Sequence, residues 1–216
     1  MIKNKISDIR LVDRKEYIKE LCKAKRVLHL GATDSPITED AVKHGRLLHQ
    51  ELHQVAAHLV GMDLAKEAIE WLSQNCELTN IVYGNIENIS DYPRESFDIV
   101  IAGEIIEHLS NPGQALNCLY SVMEKDAKMI ITVPNAYSLK GFLRAIMKHE
   151  LIHPDHTLHH SPHTLKTLLD RHGFVVDEYF SCINGGRGFA ALLSNTFLKF
   201  NPQLAEGIGV ICSPKK

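Results

Sequence analysis

Glu104, Glu107 and His108 group two carboxylates and an imidazole within five residues. Spaced i, i+3 and i+4, they would share one face of a helical turn, where two carboxylate oxygens and a ring nitrogen can converge on a divalent ion. Without a metal, His108 suits a different role, because an imidazole titrating near neutrality can take a proton from an acceptor hydroxyl. Six of the 13 histidines fall between positions 149 and 163. That density marks a loop on the substrate side, with most of its imidazoles expected as solvated residues or helix caps.

A second set of residues sits where apolar runs end. The run Arg26 to Leu30 ends in Gly31-Ala32-Thr33-Asp34-Ser35, where a glycine lets another backbone or a ligand come close and a helix start offers unpaired N–H groups. The next run ends in Asp63, placed to accept hydrogen bonds from a ribose diol or to cap the helix that follows. Gly84-Asn85-Ile86-Glu87 and Gly103-Glu104 end the third and fourth runs. In an open parallel sheet such ends line one crevice at the carboxyl rim.

The elements that must hold these residues alternate. A capping box at Asp13 and Glu16 opens a helix to about Lys23, preceding the first strand. Strands are expected at Arg26 to Leu30, His58 to Asp63, Asn80 to Tyr83, Phe97 to Ala102, Lys128 to Val133, Phe174 to Cys182 and Gly207 to Ser213. Helices are expected from Ser35-Pro36, interrupted at Gly45 and continuing through Leu47, Leu48, Leu52 and Val55. Others follow at Ala65 to Gln74, Asn111 to Met123, Tyr137 to Lys148 and Pro162 to His172, and a helical face at Phe189, Leu192, Leu193, Phe197 and Leu198. Trp71 and the aliphatic positions of 64–72 are expected in the core. Seven strands alternating with helices, apolar on both faces, describe an α/β fold: a Rossmann-like, mainly parallel sheet with helices on both sides and an antiparallel last strand. The chain reads as one domain over 1–216, with an N-terminal helix region at 1–25 and a substrate-side insertion at 135–165.

Composition narrows the field. With 24 Lys plus Arg against 26 Asp plus Glu, the net charge of -2 argues against a protein whose main work is neutralising phosphates, so nucleic acid is not the expected partner. No apolar run is long enough to cross a bilayer and MIKNKISDIR has no secretory h-region, which makes the cytoplasm the expected compartment. The five cysteines are widely spaced without a CxxC pair and read as buried free thiols. Arg144, Lys148 and Arg187, the last within Gly185-Gly186-Arg187-Gly188, could meet an anion but read first as a solvated face.

Six segments together resemble a known family, the class I S-adenosylmethionine-dependent methyltransferases, and within it the branch of ubiquinone-biosynthesis O-methyltransferases. They are RVLHLGATDS (26–35), LVGMDLAKEAIEWL (59–72), YGNIENI (83–89), FDIVIAGEIIEHLSNPGQAL (97–116), MIITVPN (129–135) and DHTLHHSPHTLKTLLDRHGF (155–174). The resemblance implies S-adenosyl-L-methionine as cofactor. Its methionine part would lie on Leu30, Gly31 and Ala32, its ribose at Asp63 and Leu64, its adenine at Asn85 and Ile86, with Gly103 alongside. The family's GxGxG turn is reduced here to Gly31, with Thr33 and Ser35 in place of later glycines.

The ExxEH pattern also resembles the metal-binding segment of small-RNA 3′-end methyltransferases, which take a further histidine from a later loop. His156 is the residue that would supply it. The expectation is therefore methyl transfer to an oxygen of a small molecule or sugar, with His108 and His156 as the catalytic pair. They act either as general base with no metal, or with Glu104 and Glu107 around a divalent ion. The rivals are a metal-dependent RNA 3′-end methyltransferase and a non-catalytic binding protein of the same fold.

Overall fold

The computed structural model describes residues 9–183 and 196–216. Eight strands form one sheet in the order β1-β7-β8-β6-β5-β2-β3-β4: β1 (Arg10–Asp13), β2 (Arg26–Leu30), β3 (His58–Asp63), β4 (Ile81–Tyr83), β5 (Ile99–Gly103), β6 (Lys128–Pro134), β7 (Phe174–Ile183) and β8 (Gly207–Pro214). All neighbours run parallel except β8, which lies antiparallel between β6 and β7. The expected Rossmann-like architecture is present, with β1 as an addition in the N-terminal helix region. Arg10 to Asp13 pair in parallel with Phe180 to Ile183.

The helices among the described residues include α1 (Arg14–Cys22), α2 (Thr38–Lys43), α3 (Leu48–His53), α4 (Lys66–Cys76), α5 (Pro112–Val122), α6 (Leu139–Ile146) and α7 (Pro162–Arg171), and residues 196–200 are helical as well. Asp13 caps α1 by accepting from the Glu16 N–H, as its spacing predicts. The break at Gly45 separates α2 from α3. One boundary differs: α2 begins at Thr38 behind Ile37, so Ser35 and Pro36 belong to the turn that leaves β2 and not to a capped helix start. Another is α6, which covers only Leu139–Ile146, capped by Ser138. The helical positions Phe189, Leu192 and Leu193, and the Gly185-Gly186-Arg187-Gly188 run, lie outside the described residues.

Strands β2, β5 and β6 are buried on both faces, which is why their sequences are continuous apolar runs. One side packs Leu28, Leu30, Met62, Ala102, Ile131 and their neighbours under α5 and α7; the other packs Ile18, Val27, Leu52, Ile101 and Phe180 under α1 and α3. Trp71 packs partly buried against a third cluster around Ala32 and Leu72, whereas Leu64 is exposed and not core. All five cysteines are free thiols, four of them buried. Among the described residues no helix is long and apolar enough to cross a membrane.

Candidate active site

Because β5, β2, β3 and β4 are adjacent and parallel, their carboxyl ends bring Gly103, Gly31, Asp63 and Gly84 to one rim. Gly31 has φ +69°, and a side chain there would come within 2.2 Å of Ile105 Cδ1, so the position needs glycine for its backbone and for the close pass of Ile105. Asp63 accepts from the Thr33 N–H and hydroxyl at Oδ2, both 2.9 Å, and from the Ala65 N–H at Oδ1, 2.9 Å. Of roughly four lone-pair directions on a carboxylate, these donors take three, which leaves one at Oδ1 unassigned. The diol-accepting and helix-capping readings of Asp63 are thus compatible.

Asn85 gives its backbone N–H to Asp91 and closes a turn by accepting from Glu87. Ile86 is buried in the core with its carbonyl accepting from Tyr92. Leu64 stands 56% exposed at the rim, available to cover a planar ring.

Arg14 is a member of this rim that its sequence position does not announce. It stands in the first turn of α1, yet its Nη1 lies 3.5 Å from Thr132 Oγ1 and 3.9 Å from Glu104 Oε1, beside Gly103. Its buried Nε has no hydrogen-bond partner among the described residues. A guanidinium with an unused donor is a carboxylate binder by its chemistry. A cationic donor at Arg14 and an acceptor at Asp63 on the same rim fit the amino-acid and ribose ends of S-adenosylmethionine.

On the neighbouring side the ExxEH residues do not form the helical turn expected of them. Glu104 has φ +55° and turns toward Arg14, and only Ile106–His108 form a short 3₁₀ turn. Glu107 and His108 do meet His156: the two rings stand 4.5 Å apart edge to face, and His156 Nε2 is 4.0 Å from Glu107 Oε1. The loop is drawn in by Thr157, whose N–H and hydroxyl both donate to the Glu107 carbonyl at 2.8 and 3.0 Å. His153 joins them, its ring 5.1 Å from that of His108, and one nitrogen from each of His108, His153 and His156 lies within 4.8 Å of the others. By sequence His153 is one loop residue among several imidazoles, and no spacing rule singles it out from its neighbours.

Glu107 is fully buried, and neither carboxylate oxygen has a hydrogen-bond partner among the described residues. Burial, reinforced by the nearby Glu104 carboxylate, pushes its pKa up to about 8, and burial raises that of Glu104 as well. His108 and His156 are held below the usual imidazole range, first by burial and then by one another's neighbourhood of imidazoles. Three clustered imidazoles beside an orphaned buried carboxylate are a donor set that fits a divalent cation. Glu104, His153, His156 and His159 line a cavity of about 950 Å³ whose other wall is α6 and the chain around Leu151.

Residues 20–179 match the family described as a methyltransferase domain. The mitochondrial ubiquinone biosynthesis O-methyltransferase of Mus musculus is 26% identical over 170 residues, covering 72% of this chain and 46% of that protein. This chain spans about half the length of the curated relatives it matches. Among solved structures, an S-adenosylmethionine-dependent methyltransferase from Archaeoglobus fulgidus superposes with TM-score 0.56 at 19% identity, covering 92% of this chain and 94% of the other. A small RNA methyltransferase superposes with TM-score 0.60 at 18% identity, covering 94% of this chain and 25% of the other.

Proposed function

Since this chain belongs to the methyltransferase-domain family, within the class I S-adenosylmethionine-dependent methyltransferases, we propose that it methylates an oxygen of a small-molecule acceptor, a sugar included, seated in the cavity beside His108, His153 and His156. The observation that carries the reading is the Glu107 carboxylate, buried and unpartnered at the edge of three imidazoles, next to the strand end at Gly103.

S-adenosylmethionine, when bound, supplies an already activated methyl group, so the residues have to hold, orient and deprotonate. Leu30, Gly31 and Ala32 would form the floor for the methionine part and Arg14 would take its carboxylate. Asp63 would accept from the ribose, with Leu64, Asn85 and Ile86 around the adenine and Gly103 leaving room for the sulfonium. His108 and His156, neutral at pH 7, are the groups able to accept the acceptor's proton.

His108, His153 and His156 would hold a divalent ion, with Glu107 beside His156 and Glu104 kept by Arg14 at the margin. Such an ion supplies Lewis acidity that favours the ionised acceptor oxygen. The metal-free base and the metal-assisted base use the same imidazoles and are separated by experiment.

Calorimetry with S-adenosylhomocysteine tests the cofactor site: binding is expected, weakened about tenfold or more in Arg14→Ala, since a charged hydrogen bond contributes about 1.5–3 kcal/mol. Absence of binding to the unaltered chain would overturn the reading. Labelled methyl transfer to a panel of catechols, phenols and sugars, with and without chelator, tests the acceptor side. Activity abolished by chelator and restored by manganese or magnesium selects the metal-assisted form; activity indifferent to chelator but lost in His108→Ala or His156→Ala selects the metal-free base.

A further inference from the structure

One cation of the acceptor cavity is turned inward and left without a partner. Arg144 stands in the last turn of α6, where sequence alone reads it as part of a solvated face. Among the described residues of the segment 140–155 it alone is half-buried, every other residue being exposed. It lines the cavity, yet it makes no ion pair with a carboxylate among the described residues. Two acids of the same wall are occupied: Lys140 engages Glu206, and Arg14 faces Glu104. Glu150 is exposed beside them and forms no ion pair with Arg144. The backbone explains how a second cationic group joins. Met147 closes α6, Lys148 turns left-handed at φ +59°, and the N–H groups of Lys148 and His149 donate to the Ala145 and Arg144 carbonyls at 3.0 and 2.9 Å. These two bonds fold the chain back over the last helical turn, which returns His149 to the cavity that Arg144 lines.

An arginine serving only the carboxyl end of the α6 dipole could do so from solvent, as the exposed Lys148 does. Arg144 instead lies among Phe142, Ala145, Leu151 and Ile152 on the cavity wall. There its planar fork matches two oxygens of a carboxylate or phosphate, and apolar surroundings strengthen such a pair. We propose that Arg144, with His149, is an anion subsite that selects acceptors carrying a carboxylate or phosphate at the end away from the methylated oxygen. The proposal rests on the methyl-transfer reading above, in which that oxygen sits by His108, His153 and His156. His153, His156 and Arg144 line one cavity, so an acidic acceptor would be held by both ends, and the span between them would fix which of its oxygens meets the methyl group.

Calorimetry on the full chain, alone and loaded with S-adenosylhomocysteine, tests the subsite with matched probes: hydroxybenzoates against the corresponding phenols, and sugar phosphates against the free sugars. The acidic member of a pair is expected to bind about tenfold or more tightly, and the arm with the larger preference tells carboxylate from phosphate. Arg144→Gln should erase that preference and leave the neutral member's affinity unchanged, whereas Lys148→Gln, on the solvent side, should preserve it. In labelled methyl transfer the same loss should appear as a raised KM for the acid and none for its neutral partner. Should Arg144→Gln shift the thermal melt, Arg144→Met serves in its place. No binding of any acid, equal binding of acid and neutral partner, a preference that survives Arg144→Gln, or one lost as readily in Lys148→Gln would each overturn the proposal. Heat from S-adenosylhomocysteine itself reports separately on the methyl-transfer reading, since α6 lies outside the cofactor rim.

Discussion

The two halves of the carboxyl rim are built on opposite terms. On the cofactor half the polar groups are matched by neighbours: the Gly31 N–H donates to Met62, the Gly84 N–H to Asp63, and Asp63 and Asp91 hold the Thr33, Ala65 and Asn85 amides. On the acceptor half, both oxygens of Glu107 and both nitrogens of His160 are buried without a hydrogen-bond partner among the described residues. A buried unpaired polar group costs about 1–3 kcal/mol, so the acceptor half, with both Glu107 oxygens and both His160 nitrogens, holds more of this free energy than the cofactor half, where Arg14 Nε is such an atom. The first is largely finished by folding, and the second is left to be completed by what it binds.

The sharpest way to break the finished half is at its tightest point. Gly31→Ala adds a left-handed penalty of about 1–2 kcal/mol and a clash with Ile105 of comparable size, so a loss of about 2–4 kcal/mol is expected in urea unfolding. In a double-mutant cycle, shortening Ile105 to Ala should recover about 1 kcal/mol of that loss as coupling. Additive effects would mean that Ile105 does not constrain the turn.

The unfinished half should reveal itself through pH. Folded Glu107 keeps its proton up to about 8, while unfolded it ionises near 4.5. Its contribution is therefore whole below pH 4.5 and is lost as pH rises through 8. Chelator-treated protein should lose on the order of 2–4 kcal/mol over that span, and Glu107→Gln should flatten the profile. A divalent ion should reverse the loss. An unaltered slope in Glu107→Gln would show that the carboxyl is solvated or paired after all.

Beneath the finished half the sign inverts. His29 and His49 face each other with Nδ1 atoms 3.2 Å apart, and burial holds both neutral, His49 to about 4. Their stability is present above the ordinary imidazole value of 6.5 and is lost as pH falls toward 4. About 1.4 kcal/mol per pH unit is expected for His49 alone, reduced in His49→Gln. Between pH 4.5 and 6.5 the two halves oppose each other. Melting temperatures that move the same way in Glu107→Gln and His49→Gln across this window would contradict the contrast.

What the sequence could express of all this follows the range of the forces involved. Strands β2, β5 and β6 are readable because burial on both faces leaves continuous apolar runs, and α1 is readable because Asp13 and Glu16 are neighbours. Strand β1 is not: its four residues are exposed or half-buried and become a strand through distant partners at Phe180 and Ser181. The ring of candidate rim residues is legible as strand ends, but its contacts are not. Glu104 leaves the helical reading because its backbone turns left-handed directly after β5. His153 and Arg14 join the site only through loop closure at Thr157 and the docking of α1, neither of which leaves a local pattern.

The smallest effect separates two roles for one hydroxyl. Thr33 stands where the resembling family has a glycine, and its Oγ1 takes one of the lone pairs of Asp63. Thr33→Val keeps the shape and both backbone donors, so its stability cost should be about 0.5–1 kcal/mol. If the hydroxyl merely competes with a ribose for Asp63, its removal should tighten S-adenosylhomocysteine binding by up to about fivefold, the equivalent of about 1 kcal/mol. If it orients the carboxylate, binding should weaken toward the level of Asp63→Asn. The first outcome keeps the cofactor half as a scaffold satisfied before ligand arrives; the second would make Thr33 part of the grip and move the border between the halves.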